Sequence, residues 1–369
     1  MPSSLPLLAL LLAAEPAWKG AAPGHAWSFP ADHRSHPGYR NEWWYFTGIL
    51  STPAGGGAPP RRLGYQVTFF RVGITPQRRE GASAWRASDA LMGHAALVDL
   101  ATGERVFSEV LYRAVPMLAG FGSAPDPVLA TSLGPPGTDR RWELRLDGER
   151  LDLDVSDRAR GMAIRLALRP DRPPVLQGPE GLSRKSSAEG YASLYYSLTR
   201  LATEGEVELG GVRLPVQGES WMDKEFGSSQ LAPDQAGWDW FALRLADGRD
   251  LMLYRLRARD GSTSFASGTV VGRDGRPRYL DAAGFRLGAT RHWRSPATGA
   301  DYPAAWTLSV PAEGLALRVE PEVADQENRG GSAPYYWEGA VRVATADGRP
   351  VGEGFVELTG YGAGNRPPL

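Results

Sequence analysis

Cysteine is absent from the 369 residues. That excludes disulfides, thiolate metal sites, cysteine nucleophiles and a lipidated cysteine anchor, and it leaves the compartment to be read from other features. An excess of one charge is also lacking. The net charge is −1 and no Lys/Arg run forms a phosphate-binding stripe, so no nucleic-acid partner is expected. After the first residues no apolar run reaches the length of a membrane-crossing helix, so the mature chain is expected to be soluble or to touch a membrane only at its surface. Gly-x-Ser-x-Gly elbows are missing, and Gly55-Gly56-Gly57 lacks the Lys-Ser/Thr that would complete a phosphate-cradling loop. The histidines are His25, His33, His36, His94 and His292. None has His-x-x-x-His spacing, so the pattern predicts neither a metal nor another cofactor. His33 and His36 are expected in a surface loop.

What the chain does contain is turns and tryptophan. The 45 Gly and 30 Pro punctuate it throughout, and 12 Trp is high for this length. Segments with a 3.6-residue period are not evident. Short alternating runs such as Leu63 to Phe69 read as half-buried strands, and many of them at regular spacing predict an all-β sandwich or barrel. The length predicts about two domains. Leu5 to Ala14 resembles the apolar part of a secretory signal peptide, with Gly20-Ala21-Ala22 as a cleavage site, although Met1 to Ser4 carry no Lys or Arg. Residues 1–24 are therefore expected to be a leader, and the location periplasmic or secreted.

The clearest hairpin runs from Trp238 to Arg257 around Asp247-Gly248. A two-residue loop there would set Leu243 against Met252, Phe241 against Tyr254 and Asp239 against Leu256. It would also place Arg255 and Arg257 opposite Trp240 and Trp238 as cation–π partners. Glu42 to Leu50 followed by Tyr65 to Arg71 echoes this aromatic strand, turn and Arg-ended strand. A duplicated module is expected, with a boundary near residue 205.

Several rarer strings occur in order. They are His36 to Gly48 (HPGYRNEWWYFTG), Gly181 to Lys185, Tyr195 to Leu201, Gly218 to Gly227 (GESWMDKEFG), Gly237 to Phe241, Tyr335 to Val341 and Val356 to Tyr361. Together they resemble the AttH/CrtC family of lipocalin-like proteins related to carotenoid 1,2-hydratase, over about His25 to Tyr361. The resemblance implies two consecutive lipocalin-like (calycin-type) antiparallel β-barrels, here 25–204 and 205–365. It also implies export in many bacterial members, often with an ABC-type exporter encoded nearby. Carotenoid hydratases add water across the terminal double bond of acyclic carotenoids, and more distant relatives handle polyketide-derived substrates. The second-half motif commonly carries Asp-His-Glu or Asp-His-Asn, whereas this chain has Asp223-Lys224-Glu225. A lysine is a poor proton shuttle unless buried.

The resemblance therefore supports an exported protein that binds a long apolar molecule such as a polyene, isoprenoid or lipid. It also supports a hydro-lyase acting on an isoprenoid double bond, or a non-enzymatic structural partner of a transporter. For the hydro-lyase, a carboxyl group in an apolar pocket stays protonated and can donate to an alkene. Asp239 is the first candidate with Tyr254 as helper, unless Asp239 is simply ion-paired. Asp223 and Glu225 share a strand face and with Lys224 form either an acid–base site or an ion-pair network at the domain junction. Glu42 and Glu338 adjoin Trp and are expected to accept structural hydrogen bonds. Trp44, His94, Trp221, Trp238, Trp240 and Phe241 are the candidate ligand contacts. His94 corresponds to a family histidine, either a satisfied core residue or a proton donor lining the pocket.

Overall fold

A computed structural model describes residues 17–54, 59–76, 83–331, 334–362 and 364–367. The expected leader run Leu5–Ala14 and the triple glycine 55–57 lie outside the described residues. Among the described residues no helix is long and apolar enough to cross a membrane. Almost all regular structure is antiparallel strand, as the turn-punctuated alternation predicts.

The first sheet holds β1 (Asn41–Ser51), β2 (Arg62–Gly73), β3 (Asp89–Asp99), β4 (Arg105–Arg113), β5 (Ala119–Phe121), β6 (Val128–Leu133) and β7 (Arg141–Asp147). It continues with β8 (Arg150–Asp157), β9 (Met162–Pro170), β10 (Val175–Leu176), β11 (Leu182–Arg184), β12 (Ala192–Leu209) and β13 (Val212–Ser229). The order across it is β4-β3-β2-β1-β13-β12-β9-β8-β7-β6-β5, with β10 and β11 also on β12. β3 and β4 come round to meet β5 and β6, so this sheet is a nearly closed barrel. The second sheet holds β14 (Gln235–Leu245), β15 (Asp250–Ala258), β16 (Thr263–Val271), β17 (Pro277–Asp281) and β18 (Arg286–Arg294). After these come β19 (Asp301–Val310), β20 (Leu315–Pro321), β21 (Glu327–Asn328), β22 (Tyr336–Thr345) and β23 (Pro350–Leu358). Its order is β17-β16-β15-β14-β23-β22-β20-β19-β18, an open half-barrel.

The sheets do not change at residue 205. That position lies inside β12, and the long β12–β13 hairpin belongs wholly to the first sheet. Cutting there would leave the ladder of β12 with β13 and β9 unpaired, which buried backbone groups do not tolerate. The change falls in the short link between Ser229 and Gln235.

Both barrels are filled by side chains. Trp44, Phe46, Tyr65, Phe69, Trp142 and Met222 pack inside the first, and Phe241, Leu253, Trp306, Trp337 and Leu358 inside the second. A third apolar layer joins them, built from Tyr45, Ile49, Tyr195, Trp221, Trp240, Tyr254 and Leu256. Alternation along each strand decides the layer. Trp44 and Phe46 point into the first barrel, whereas Tyr45 and Ile49 point outward to the junction. Gly48 lets two strands close on Tyr65, whose hydroxyl donates to Ser220 Oγ at 2.7 Å. A Cβ on Gly48 would lie 2.5 Å from that Oγ.

The β14–β15 register differs by one residue from the expected hairpin. Leu245 N–H donates to Arg249 O, closing a three-residue turn whose Gly248 has φ +91°. Glycine carries that positive φ without strain. Asp239 now pairs with Arg255, Trp240 with Tyr254 and Leu243 with Leu251. A one-residue slip exchanges the faces of one strand relative to its partner. Arg255 and Arg257 therefore join Asp239, and the expected Arg–Trp pairing across this hairpin does not form.

Candidate functional site

Between the two barrels lies a cavity of about 360 Å³. The outward faces of β1, β2, β3 and β13 form one wall, and those of β14, β15, β22 and β23 the other. Both barrel interiors are packed with large side chains, and the space remains where two curved sheets meet. Trp43, Phe70, Met92, Trp238, Trp240 and Leu256 supply most of its apolar wall. Its volume is at the low end of small-molecule sites, so a long polyene would enter by one end.

Of the carboxyl-bearing residues that line this cavity, Glu42 and Glu225 are ion-paired with Lys224 and Lys185, whereas Asp223, Glu338 and Glu357 have no cation at salt-bridge distance among the described residues. Glu338 and Glu357 are direct cross-strand partners of β22 and β23. Burial pushes the Glu357 carboxyl up to about 7, against a hydrogen bond from Trp238 Nε1. Burial, followed by the nearby Glu357 charge, pushes Glu338 well above the usual carboxylate range. Like charges facing each other in an apolar site resist double ionisation. Burial also raises Asp223 to about 7, opposed by donors from Ser197, Tyr195 and Trp221. The Tyr195 hydroxyl donates to Asp223 Oδ2 at 2.6 Å and Trp221 Nε1 to Oδ1 at 2.7 Å. Asp223 is thus a well-supplied acceptor, whereas Glu338 Oε1 has no hydrogen-bond partner.

Further unsatisfied polar atoms line the same space: the Tyr45 hydroxyl, His94 Nε2 and the side-chain amide of Gln230. His94 is buried, and burial lowers it to about 4, so the ring is neutral at physiological pH. Its Nδ1 meets the Tyr336 hydroxyl at 2.9 Å. Buried polar atoms are rarely left unpaired, and a concentration of them in one cavity marks where a bound molecule would make hydrogen bonds.

The predicted site residues separate by strand parity. Asp223 and Glu225 do share the cavity face, but Lys224, between them, points the other way into the first barrel. There it is fully buried, ion-paired with Glu42, and lies 3.4 Å over the Trp44 ring. Burial lowers Lys224 while Glu42 opposes the shift. The cation beside Glu225 is instead Lys185, at 2.7 Å. Its ammonium sits 4.6 Å from the Tyr254 ring centre and 5.2 Å from that of Tyr195. Lys185 lies in a family-like string but carries no spacing signal that would single it out.

Trp238, Trp240, His94 and Tyr254 line the cavity, whereas Trp44, Trp221 and Phe241 do not. Trp44 and Phe241 face the two barrel cores, and Trp221 is buried in the junction with its N–H on Asp223. Tyr254 offers its ring; its hydroxyl donates to the Arg184 carbonyl at 2.5 Å and is not free to assist a proton donor. Of the two readings of Asp239, the structure has the ion-paired arrangement. Asp239 points into the half-barrel, where Arg257 Nε lies at 2.9 Å, Arg255 Nε at 3.1 Å, and the Tyr361 hydroxyl donates at 2.8 Å. Glu42 takes the structural role expected of it, accepting from His36, Arg71 and Lys224. Glu338, assigned the same role, lacks a partner at Oε1. His33 and His36 are not in an exposed loop; His33 is buried against the Tyr196 hydroxyl at 2.6 Å.

The raised carboxyls give a signed pH dependence. Glu357 has an ordinary value of 4.5 and a folded value of about 7, so between these the folded state binds more protons than the unfolded state. Its contribution is full below about pH 4.5 and is lost as pH rises through 7. A shift of that size corresponds to about 3 kcal/mol. Glu357→Gln is therefore expected to raise Tm more at pH 8 than at pH 5. Thermal melts at the two pH values check this, and an equal change at both would refute the assignment.

The AttH-like family profile matches residues 20–361. A crystal structure of a candidate AttH from Nitrosomonas europaea is 32% identical, with a TM-score of 0.79, covering 94% of this chain and 100% of that one. Kievitone hydratase from Nectria haematococca is 16% identical, with a TM-score of 0.62, covering 93% of this chain and 97% of that one. CghA is 12% identical, with a TM-score of 0.52, covering 94% of this chain and 95% of that one. These last two likenesses bear on the fold alone. No curated protein sequence matches the chain.

Proposed function

The chain belongs to the AttH-like family, and from that premise we propose that it is a hydro-lyase, adding water to a carbon–carbon double bond of an apolar, isoprenoid-type molecule held between its two barrels. The observation that carries this reading is the upward-shifted Glu338 carboxyl inside an aromatic-walled cavity, with Oε2 accepting from Asn328 Nδ2 at 3.4 Å and Oε1 left without a hydrogen-bond partner. A pure binding protein needs no buried acid there, and a filled structural module needs no cavity.

The chemistry balances with these groups alone. The Glu338 carboxyl gives its proton to one alkene carbon, and the positive charge left on the other is stabilised by the aromatic walls. Water adds to that carbon and loses a proton to a carboxylate of the Glu338/Glu357 pair, restoring the acid. Asp223, held by three donors, fixes Tyr195 in the wall and Trp221 behind it. Apolar walls exclude bulk water and keep the acid protonated.

The test is to incubate the protein with acyclic isoprenoid alkenes and follow products by mass spectrometry. A product heavier by one water supports the reading. A ligand that saturates the protein, quenching the cavity tryptophans, but is never hydrated would make this a binding protein instead. Activity is expected to fall as pH rises through about 7, as the Glu338/Glu357 pair loses its proton. A rate that climbs through that range would contradict an acid mechanism.

A further inference from the structure

A second cluster, separate from the cavity acids, lies in the N-terminal segment covering the end of the first barrel. His25 Nε2 and His36 Nε2 both face the same oxygen, Asp32 Oδ1, at 3.3 and 3.0 Å. The three groups have ligand atoms within 4.8 Å of one another. On the far side of the ring, His36 Nδ1 lies 2.6 Å from Glu42 Oε1. Glu42 is fully buried, and its other partners are donors: the His36 amide, Arg71 Nε and Lys224 Nζ. It is therefore an acceptor, and His36 must place its N–H on Nδ1. A neutral imidazole has only one N–H. His36 Nε2 then faces a carboxylate oxygen 3.0 Å away, a gap filled either by a second ring proton or by a cation shared with His25.

We propose that His25, Asp32 and His36 bind a zinc-type divalent cation. Two ligands about 2.0–2.1 Å from a tetrahedral ion lie about 3.3 Å apart, close to the separations found. A carboxylate on the remote nitrogen of a ligating histidine is the usual means of fixing its tautomer and orientation, and Glu42 occupies that place. The local charge allows it: Asp32, Glu42 and Asp89 are three carboxylates against the two cations Arg71 and Lys224. The His25 side chain is 21% exposed, which leaves an entry path and room for water as a fourth ligand. The ion joins residues 25 and 36 and fastens this segment over Phe226, whose ring stacks on His36 at 3.7 Å. It is a structural pin: its ligands are not among the residues lining the cavity.

The experiment uses the full chain, stripped with a chelator and titrated with Zn²⁺ by calorimetry, with Tm read in parallel. One Zn²⁺ per chain and a Tm that rises with Zn²⁺ are expected, because a ligand bound only by the folded state stabilises it. Asp32→Asn also disturbs the Ser28 amide bond, so His25→Ala, at the partly exposed ligand, carries the decision. It should weaken binding by more than the roughly 10–100-fold that losing an outer hydrogen-bond partner costs. His292→Gln, at an exposed His–Asp pair on β18 and β19, should bind like the wild type. No saturable 1:1 binding by the wild type, which would mean that a shared proton fills the gap, overturns the proposal. So does unchanged affinity in His25→Ala, or loss of the site in His292→Gln.

Discussion

Glu338→Gln is expected to lower the rate of water addition by about 10²–10⁴-fold, the usual contribution of a positioned proton donor, while ligand affinity stays close to that of the wild type. The amide has nearly the same shape as the protonated acid but cannot release a proton to carbon. Glu338 is 4% exposed, its Oε1 has no hydrogen-bond partner and its carboxyl makes no salt bridge among the described residues, so the substitution breaks no ion pair. The fold should survive. Glu357→Gln should cost less and act differently: it removes the charge that helps keep Glu338 protonated, so the fall in activity with pH should move rather than vanish. Single-turnover rates with saturating alkene, together with tryptophan quenching for affinity, separate the two effects. Equal rates in wild type and Glu338→Gln would remove Glu338 from the chemistry. An active protein with a different essential carboxyl, for which Asp223 is the next candidate, would keep the hydro-lyase and move its acid.

The second large effect concerns stability. Asp239→Leu is expected to destabilise the protein by about 3–5 kcal/mol, because removing one partner of a buried ion pair leaves uncompensated charge. Asp239 is fully buried and neutralises both Arg255 and Arg257 inside the half-barrel. Arg257 also packs 3.7 Å over the Tyr361 ring, so the network ties β14 and β15 to the chain after β23. A fall in Tm of roughly 5 °C follows from typical unfolding entropies for a chain of this length. Replacing the whole group, with Asp239→Leu, Arg255→Met and Arg257→Met together, should recover much of the loss, since no orphaned charge remains. The milder Asp239→Asn should leave turnover per folded molecule unchanged. A selective loss of turnover in that variant would return Asp239 to the catalytic role first expected of it.

The contrast between Asp239 and Glu338 shows where reading the residues reached its limit. Both are acids in apolar, tryptophan-bearing strands, and nothing local tells them apart. Asp239 looked like the pocket acid because a two-residue turn would have set it across from Leu256. The extra turn residue set it across from Arg255 instead. Glu338 looked structural because it adjoins Trp337. Its neighbour across the ladder is another glutamate, and that pairing depends on how β22 and β23 align.

What the sequence determined by itself was the class of fold, the family and the alternation along each strand. Glycine and proline set the turns, and period-two hydrophobicity set the strands. Strings such as Glu42-Trp43-Trp44-Tyr45 were specific enough to carry the family. Alternation also made Asp223 and Glu225 neighbours on one face. Tertiary structure alone decided which face of each strand meets a barrel core and which meets the junction. It also decided that both barrels are filled and the space lies between them. It brought Lys185 to Glu225, and His25 to Asp32 and His36. The physical reason is that alternation fixes side chains only relative to their own strand. Register and the docking of two curved sheets fix them relative to everything else, and those depend on contacts between residues far apart in the chain.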